Sequence, residues 1–303
     1  LDEQCKLFFF MSHRILELYS GIGGMHCAWN ESGLEGEIVA AVDINTVANE
    51  PFTRNGKYLD DNDPRTNSFL YLIGILDQLD SIDYILMENV KGFESSTVRK
   101  LFIDKLKQCN FIYQEFLLCP SSVGVPNSRR RYYCTARRQT LTWPFKCRDE
   151  IMTCLPKDFG VPHTLESIIE DNVHDKFLIP DKKLTRANVL DICYKNSKRS
   201  CCFTKAYSHY IEGTGSVYTD KSPEIVQMCF EKANLNEVGS DDFVESLKEL
   251  KLRFFTPKEV LMLMSFPKNY SLPTNISIKQ CYRLIGNSVN VQVISELLKI
   301  LFD

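Results

Sequence analysis

The stretch that most constrains this chain is residues 15–29, ILELYSGIGGMHCAW. Ile15-Leu16-Glu17-Leu18-Tyr19 is a short apolar run, the pattern of a strand buried in a parallel sheet. Gly21-Ile22-Gly23-Gly24 then removes three side chains within four residues, and helix-compatible sequence follows from Met25. Strand, glycine turn and helix in that order let an α/β domain bring backbone N–H groups up to a ligand at the mouth of its sheet. A plain tight turn would carry the same glycines, so the spacing matters. Gly-x-Gly-Gly is not the Gly-x-Gly-x-x-Gly of dinucleotide binders, which disfavours a dehydrogenase. A second apolar run, Ile38-Val39-Ala40-Ala41-Val42, ends in Asp43. An acid about twenty residues past the glycines can accept both hydroxyls of a ribose. Together these features predict a nucleoside cofactor with no pyrophosphate to cradle, and S-adenosyl-L-methionine fits that description.

The 303 residues allow one large or two moderate domains with an ample core. Hydrophobic residues make up 44% and charged residues 25%, as in an ordinary globular protein. A net charge of −3 argues against an unspecific nucleic-acid coat and leaves room for a local basic site. No apolar run approaches the roughly 20 residues that cross a bilayer. Twelve cysteines occur with no Cys-x-x-Cys pair, so neither a zinc site nor a disulfide frame is indicated. Free thiols in a reducing compartment, cytoplasm or nucleus, are the simplest account. The five histidines show no metal-ligand spacing.

Taken in order, residues 1–10 read as a foreign leader, with Met11 as a natural start. After Asp43 the sequence changes abruptly at Glu50-Pro51. One helix, residues 68–79, and no strand can be found before residues 84–87. A doubly wound sheet needs about ten to twelve residues or more per crossover, so one or two elements are missing there. The junction Glu50–Pro51 is therefore expected to mark an omitted segment. Residues 84–87 form a strand delivering Glu88-Asn89-Val90. Residues 96–109 form an amphipathic helix with Val98, Leu101, Phe102 and Leu106 inward. Residues 112–118 and 129–136 form strands. From about residue 139 prolines recur and strand–helix alternation stops, as in a second, irregular domain. Residues 182–205 hold seven basic residues against one acid, with Cys202-Phe203-Thr204 at the end; a nucleic-acid contact and a solvated basic face are both open. Residues 233–250 are acidic, as in a surface helix. Thr256-Pro257-Lys258-Glu259 is a capping box. Val293, Ile294, Leu297, Leu298 and Leu301 mark a last helix that must dock on an apolar surface. The expected organisation is a catalytic domain over 11–138, a target-recognition domain over 139–275 and a return to the first domain over 276–303.

Glu88 falls at the carboxyl end of an apolar strand, where open α/β sheets handle ligands. A partly desolvated carboxyl there can hold a raised pKa and donate a hydrogen bond; an ion-paired structural glutamate would look the same. Arg129 and Arg131, two apart on a strand, face one side and make an anion clamp or a pair of surface ion pairs.

The motifs Glu17-Leu18-Tyr19-Ser20-Gly21-Ile22-Gly23-Gly24, Asp43, Pro51-Phe52-Thr53-Arg54, Glu88-Asn89-Val90, Asn127-Ser128-Arg129-Arg130-Arg131 and Gly286-Asn287-Ser288-Val289, in this order, resemble the cytosine-5 methyltransferase family. Cys202-Phe203-Thr204 resembles its tRNA-directed branch, which is built like a DNA methyltransferase but methylates the anticodon loop of aspartate tRNA. The resemblance implies an α/β fold with a doubly wound, mostly parallel sheet and a smaller target-recognition domain. It implies S-adenosyl-L-methionine held by Ser20, Gly21, Ile22, Gly23, Gly24, Asp43, Ile44, Asn287, Ser288 and Val289. It gives catalytic roles to Glu88, Arg129 and Arg131 and substrate contacts to Cys202, Phe203 and Thr204; the local basic charge adds Lys195, Lys198, Arg199 and Lys205 as expected substrate contacts. The expected partner is tRNA, with DNA as the alternative, no membrane and a monomeric state. One departure stands out. The family's nucleophile lies in Pro-Cys-Gln directly before a segment matching Pro51-Phe52, and here Glu50 occupies that place. Either that cysteine belongs to the omitted segment, or the chain is a cofactor-binding module without a nucleophile.

Overall fold

A computed structural model describes residues 13–42, 67–141, 143, 146–210 and 212–302. The leader at 1–10, Asp43, Ile44 and the Glu50–Pro51 junction lie outside the described residues. β1 (His13–Leu18) leads through the glycine turn into α1 (Gly24–Ser32) and back into β2 (Gly36–Val42). The two strands pair in parallel, as a helical crossover requires. α2 (Asn67–Ile75) ends in a single 3-10 turn over Leu76–Gln78. β3 (Tyr84–Val90), α3 (Thr97–Gln108) and β4 (Phe111–Leu118) form a second crossover, and β5 (Arg131–Arg138) runs antiparallel between β3 and β4. Among the described residues β1–β2 and β3–β5–β4 are separate sheets. A mostly parallel sheet was expected; β1–β2 is parallel, but with β5 inserted between β3 and β4 both pairings of the second sheet are antiparallel.

β5 has a core on each face, because its side chains alternate and both sides are covered. Tyr133 packs with Phe116 and Leu118 in the larger core, whereas Tyr132, Cys134 and Ala136 pack with α3 in the smaller one. On α3, Val98, Phe102, Ile103 and Leu106 are buried and Leu101 is 44% exposed. Leu101 was expected inward. At 100° per residue it falls about a third of a turn from the stripe centred between Phe102 and Leu106.

The rest of the chain wraps the larger core. α4 (Asp181–Leu184) precedes the short strands β6 (Ile192–Cys193), β7 (Val217–Tyr218) and β8 (Arg253–Phe254), which make a small sheet with β7 central. α5 (Pro223–Ala233) and α6 (Asp241–Lys248) pack against one another. The acidic stretch 233–250 is thus a turn followed by α6, not one helix: Gly239 sits at φ +89° and the Ser240 side chain caps the new start. α7 (Pro257–Leu263) begins at the expected capping box, with Thr256 and Glu259 bonded reciprocally. α8 (Ile278–Gly286) has a second box at Ser277 and Gln280. α9 (Val291–Phe302) buries Val293, Ile294, Leu297, Leu298 and Leu301 and packs on α1, β3 and β5. No helix among the described residues is long and apolar enough to cross a membrane.

Candidate active site

The glycine bend sits at the carboxyl ends of β1 and β2. Ser20 N–H donates to the Val42 carbonyl (3.2 Å) and Gly23 N–H to the Ser20 carbonyl (2.8 Å). Three residues in the bend have left-handed backbone: Tyr19 at φ 57°, Gly21 at 53° and Gly23 at 75°. Glycine adopts this freely, but at Tyr19 it costs energy, and such strain collects at functional loops. Gly23 is also the N-cap of α1 and offers no side chain, so the first-turn amides are left for a ligand. Gly24 is needed for a different reason. A Cβ there would lie 2.8 Å from both Ser288 Oγ and Val289 Cγ2. The segment following α8 is therefore laid directly against the glycine bend.

Glu17 lies beneath the bend. It is 5% exposed, and neither carboxylate oxygen has a hydrogen-bond partner. Burial raises its pKa, with nearby His26 pulling the other way. Tyr270 supports the bend from the other side by donating its hydroxyl to the Ile22 carbonyl (2.8 Å).

Glu88 and Arg131 share one face of the β3–β5 pair. Glu88 stands opposite Tyr133 and Arg131 opposite Val90, a diagonal arrangement that brings their side chains together. Arg131 Nε lies 3.4 Å from Glu88 Oε1, and the two side chains are 17% and 19% exposed. Burial raises the Glu88 pKa, with Arg129 and Arg131 pulling the other way. A protonated Glu88 can donate a hydrogen bond to a ring nitrogen, and Arg131 can hold a carbonyl oxygen.

Arg129 differs from its expected role. It precedes β5 instead of lying on it. It is 3% exposed, with its guanidinium committed to main-chain carbonyls: Nη1 to Phe203 (3.1 Å), Nη2 to Gly286 (3.0 Å) and Ser288 (2.5 Å). It is not an open half of an anion clamp. Cys202 lies between the two arginines, its Sγ 3.6 Å from Arg129 Nη1 and 4.0 Å from Arg131 Nη2. Phe203 is 2% exposed and stacks edge-on with Tyr207 and Phe255, so it is core and not a free platform for a base. Thr204 turns the chain: its carbonyl accepts from Tyr207 N–H and its hydroxyl from Ala206 N–H.

Much of the basic segment is neutralised. Lys195 pairs with Glu166 (3.4 Å), Arg199 with Asp191 (2.5 Å) and Arg186 with Glu212 (2.7 Å). Lys182 and Lys198 are exposed, and Lys205 is half-buried. The surface depression at Asn110, Arg138, Gln139 and Thr140 lies at the far end of β5 from Arg131 and plays no part here. No cluster of metal-ligating side chains exists among the described residues.

Sequence reading had no signal for Tyr270, which lies in an irregular stretch. It also missed Asn290, which is 1% exposed, caps Val293 of α9 and donates to the Leu263 carbonyl, thereby seating Ser288 and Val289.

An α/β fold with a glycine bend, an uncapped helix start and a carboxyl–guanidinium pair linked to that bend through Cys202, Arg129 and Ser288 defines an S-adenosyl-L-methionine-dependent methyltransferase. A model of the C-5 cytosine-specific DNA methylases matches residues 50–303, and the chain belongs to that family. A Spodoptera frugiperda tRNA (cytosine(38)-C(5))-methyltransferase is 71% identical, covering 97% of this chain and all of the relative. That alignment runs over 332 positions, more than the 303 residues of this chain, so the relative has residues with no counterpart here. The Homo sapiens protein of the same name is 36% identical, covering 96% of this chain and 99% of the relative. The crystal structure of a Spodoptera frugiperda DNMT2 mutant superposes with a TM-score of 0.89 at 71% identity, covering 96% of this chain and all of that one. The family's methyl donor is S-adenosyl-L-methionine. The residues present fit it: the glycine bend closed by Ser288 and Val289 leaves uncapped amides for the methionine part, and Tyr19 in the bend keeps apolar surface open beside it.

Proposed function

We propose that this protein methylates carbon 5 of a cytosine in the anticodon loop of a tRNA, aspartate tRNA foremost, as a monomer. The observation that carries the proposal is the Glu88–Arg131 pair, with Cys202 beside it and joined through Arg129 and Ser288 to the glycine bend. Carbon 5 of cytosine is a poor nucleophile. A cysteine thiolate adding to carbon 6 forms a C–S bond and makes carbon 5 enamine-like. Glu88, whose pKa burial raises against the pull of Arg129 and Arg131, donates in its protonated form to the ring nitrogen and accepts from the exocyclic amine, while Arg131 holds the carbonyl oxygen on carbon 2. S-adenosyl-L-methionine supplies an electrophilic methyl group. Carbon 5 takes that methyl as its bond to the sulfonium breaks, leaving S-adenosyl-L-homocysteine; the carbon 5 proton then passes to solvent and the C–S bond breaks, releasing the cysteine as its thiolate. The base must first leave its stack, which costs a few kcal/mol and is easiest in a loop.

The cysteine belongs, on this proposal, to residues between Glu50 and Pro51 that the sequence does not carry. The additional residues of the Spodoptera relative support this, as does its name. Substrate contacts are assigned to Cys202, Thr204, Lys198 and Lys205, with Lys195 and Arg199 reaching RNA by exchanging carboxylate partners for phosphate.

Two measurements test the reading. The peptide spanning Glu50 and Pro51, in protein purified from its own source, should be longer than the sequence gives. A tritiated-methyl assay on that protein should label tRNA and not duplex DNA. Label in DNA alone would make it a DNA methyltransferase. No label in either, with Glu50 bonded directly to Pro51, would make it a binding module.

A further inference from the structure

Arg129 stands where three distant segments meet, and its contacts are almost all to main chain. Nη2 reaches the Gly286 and Ser288 carbonyls, on the segment laid against Gly24. Nη1 reaches the Phe203 carbonyl, in the segment that carries Cys202. The two segments also touch directly: a Cβ on Gly286 would come within 2.3 Å of Lys205 N and 2.4 Å of the Thr204 carbonyl carbon. The loop before Arg129 is tied to the same strip. Ser128 N–H donates to the Ser200 carbonyl (2.8 Å), and Asn127 Nδ2 to Ser200 Oγ (3.1 Å) and the Cys201 carbonyl (3.0 Å). The Phe203 ring is locked against Tyr207, which stacks on Tyr282 of α8. A shift at Ser288 therefore displaces either the arginine fork or the backbone at 203–205.

We propose that Arg129 is a positioning residue that couples the cofactor loop to the Cys202–Lys205 segment, so that filling either site raises affinity at the other. The proposal rests on the functional reading above for what the two sites bind. A guanidinium has five donors in a rigid planar fork, and here that fork spans three carbonyls on two segments; a lysine ammonium is a point charge on a flexible stem and cannot hold that geometry. Coupling of this kind is reciprocal and typically amounts to about 5- to 150-fold in affinity.

Calorimetric titration with S-adenosyl-L-homocysteine, with and without saturating tRNA, tests it. In the wild-type protein we expect tRNA to tighten homocysteine-adduct binding at least about fivefold, at the lower end of measured couplings. Arg129→Lys should reduce that ratio to near one while either ligand alone still binds. Hydrogen exchange on the wild-type protein gives a readout that needs no variant: the adduct alone should slow exchange of the Phe203, Thr204 and Lys205 amides. Equal affinities with and without tRNA, retained coupling in Arg129→Lys, or unchanged exchange at 203–205 would each overturn the proposal. If tRNA is methylated while these fail, only the coupling falls. If the adduct does not bind at all, the coupling falls together with the reading it rests on.

Discussion

Two carboxyl groups near the cleft are kept from water, with different consequences. Glu88 has Arg131 beside it and stays partly exposed, so its raised pKa equips it to donate a hydrogen bond. Glu88→Gln keeps the size and one donor but cannot shift a proton. It should lower methyl transfer to tRNA by about a hundredfold or more, the usual scale of a lost acid–base group, with cofactor affinity unchanged in a titration. Loss of cofactor binding in this variant would move Glu88 out of the base site. Glu17 has no bonded partner, and burial raises its pKa. A carboxyl whose folded pKa is raised favours folding below its unfolded pKa, and that contribution is lost as pH rises through the folded value. Glu17→Gln removes the charge, so its melting temperature relative to wild type should improve from pH 5 to pH 8. Parallel pH profiles in thermal melts would show that the carboxyl is not the strained group.

At the scale of elements, charge pairs differ by burial more than by distance. Arg253 Nη1 and Nη2 each lie 2.8 Å from an oxygen of Glu259, which is fully buried and also caps Thr256 and accepts from Glu170 N–H. Arg253→Ala leaves that carboxylate uncompensated and should cost about 3–5 kcal/mol. Arg186→Ala, which breaks the exposed pair with Glu212, should cost less than about 1 kcal/mol. Denaturant midpoints compare the two directly, and equal losses would refute the distinction. The basic segment follows the same logic: Lys198→Glu should weaken tRNA binding and flatten its salt dependence more than Lys195→Glu, because Lys195 already has Glu166. Filter binding at several salt concentrations reads the slopes. These elements also show what the sequence could reveal. The strand–glycine–helix unit, the capping box at Thr256 and the apolar face of α9 were legible because local spacing dictates them. The role of Arg129 was not, because its partners Phe203, Gly286 and Ser288 are main-chain groups 74 to 159 residues away. Phe203 was expected to contact substrate because nothing local announces that Tyr207 and Phe255 close over it.

For the whole molecule the telling feature is an apolar sheet face turned outward. Leu16 pairs with Ala40 and Leu18 with Val42, so these four side chains share one face of β1–β2. Leu16 is 53% exposed, Leu18 38% and Val42 48%, while α1 and α9 pack on each other elsewhere in the larger core. A parallel pair is ordinarily covered on both faces, and open apolar sheet surface of this kind promotes association. The 303-residue chain should therefore bind a hydrophobic dye such as anilinonaphthalene sulfonate and self-associate at raised concentration. Leu16→Thr with Leu18→Thr keeps strand propensity and should reduce both signals. If the protein from its own source has further residues between Glu50 and Pro51, it should bind less dye than the 303-residue chain, because those residues would supply the missing cover. Equal dye binding by the two, or no loss in the double threonine variant, would mean that this face is closed in solution and that the extra residues lie elsewhere.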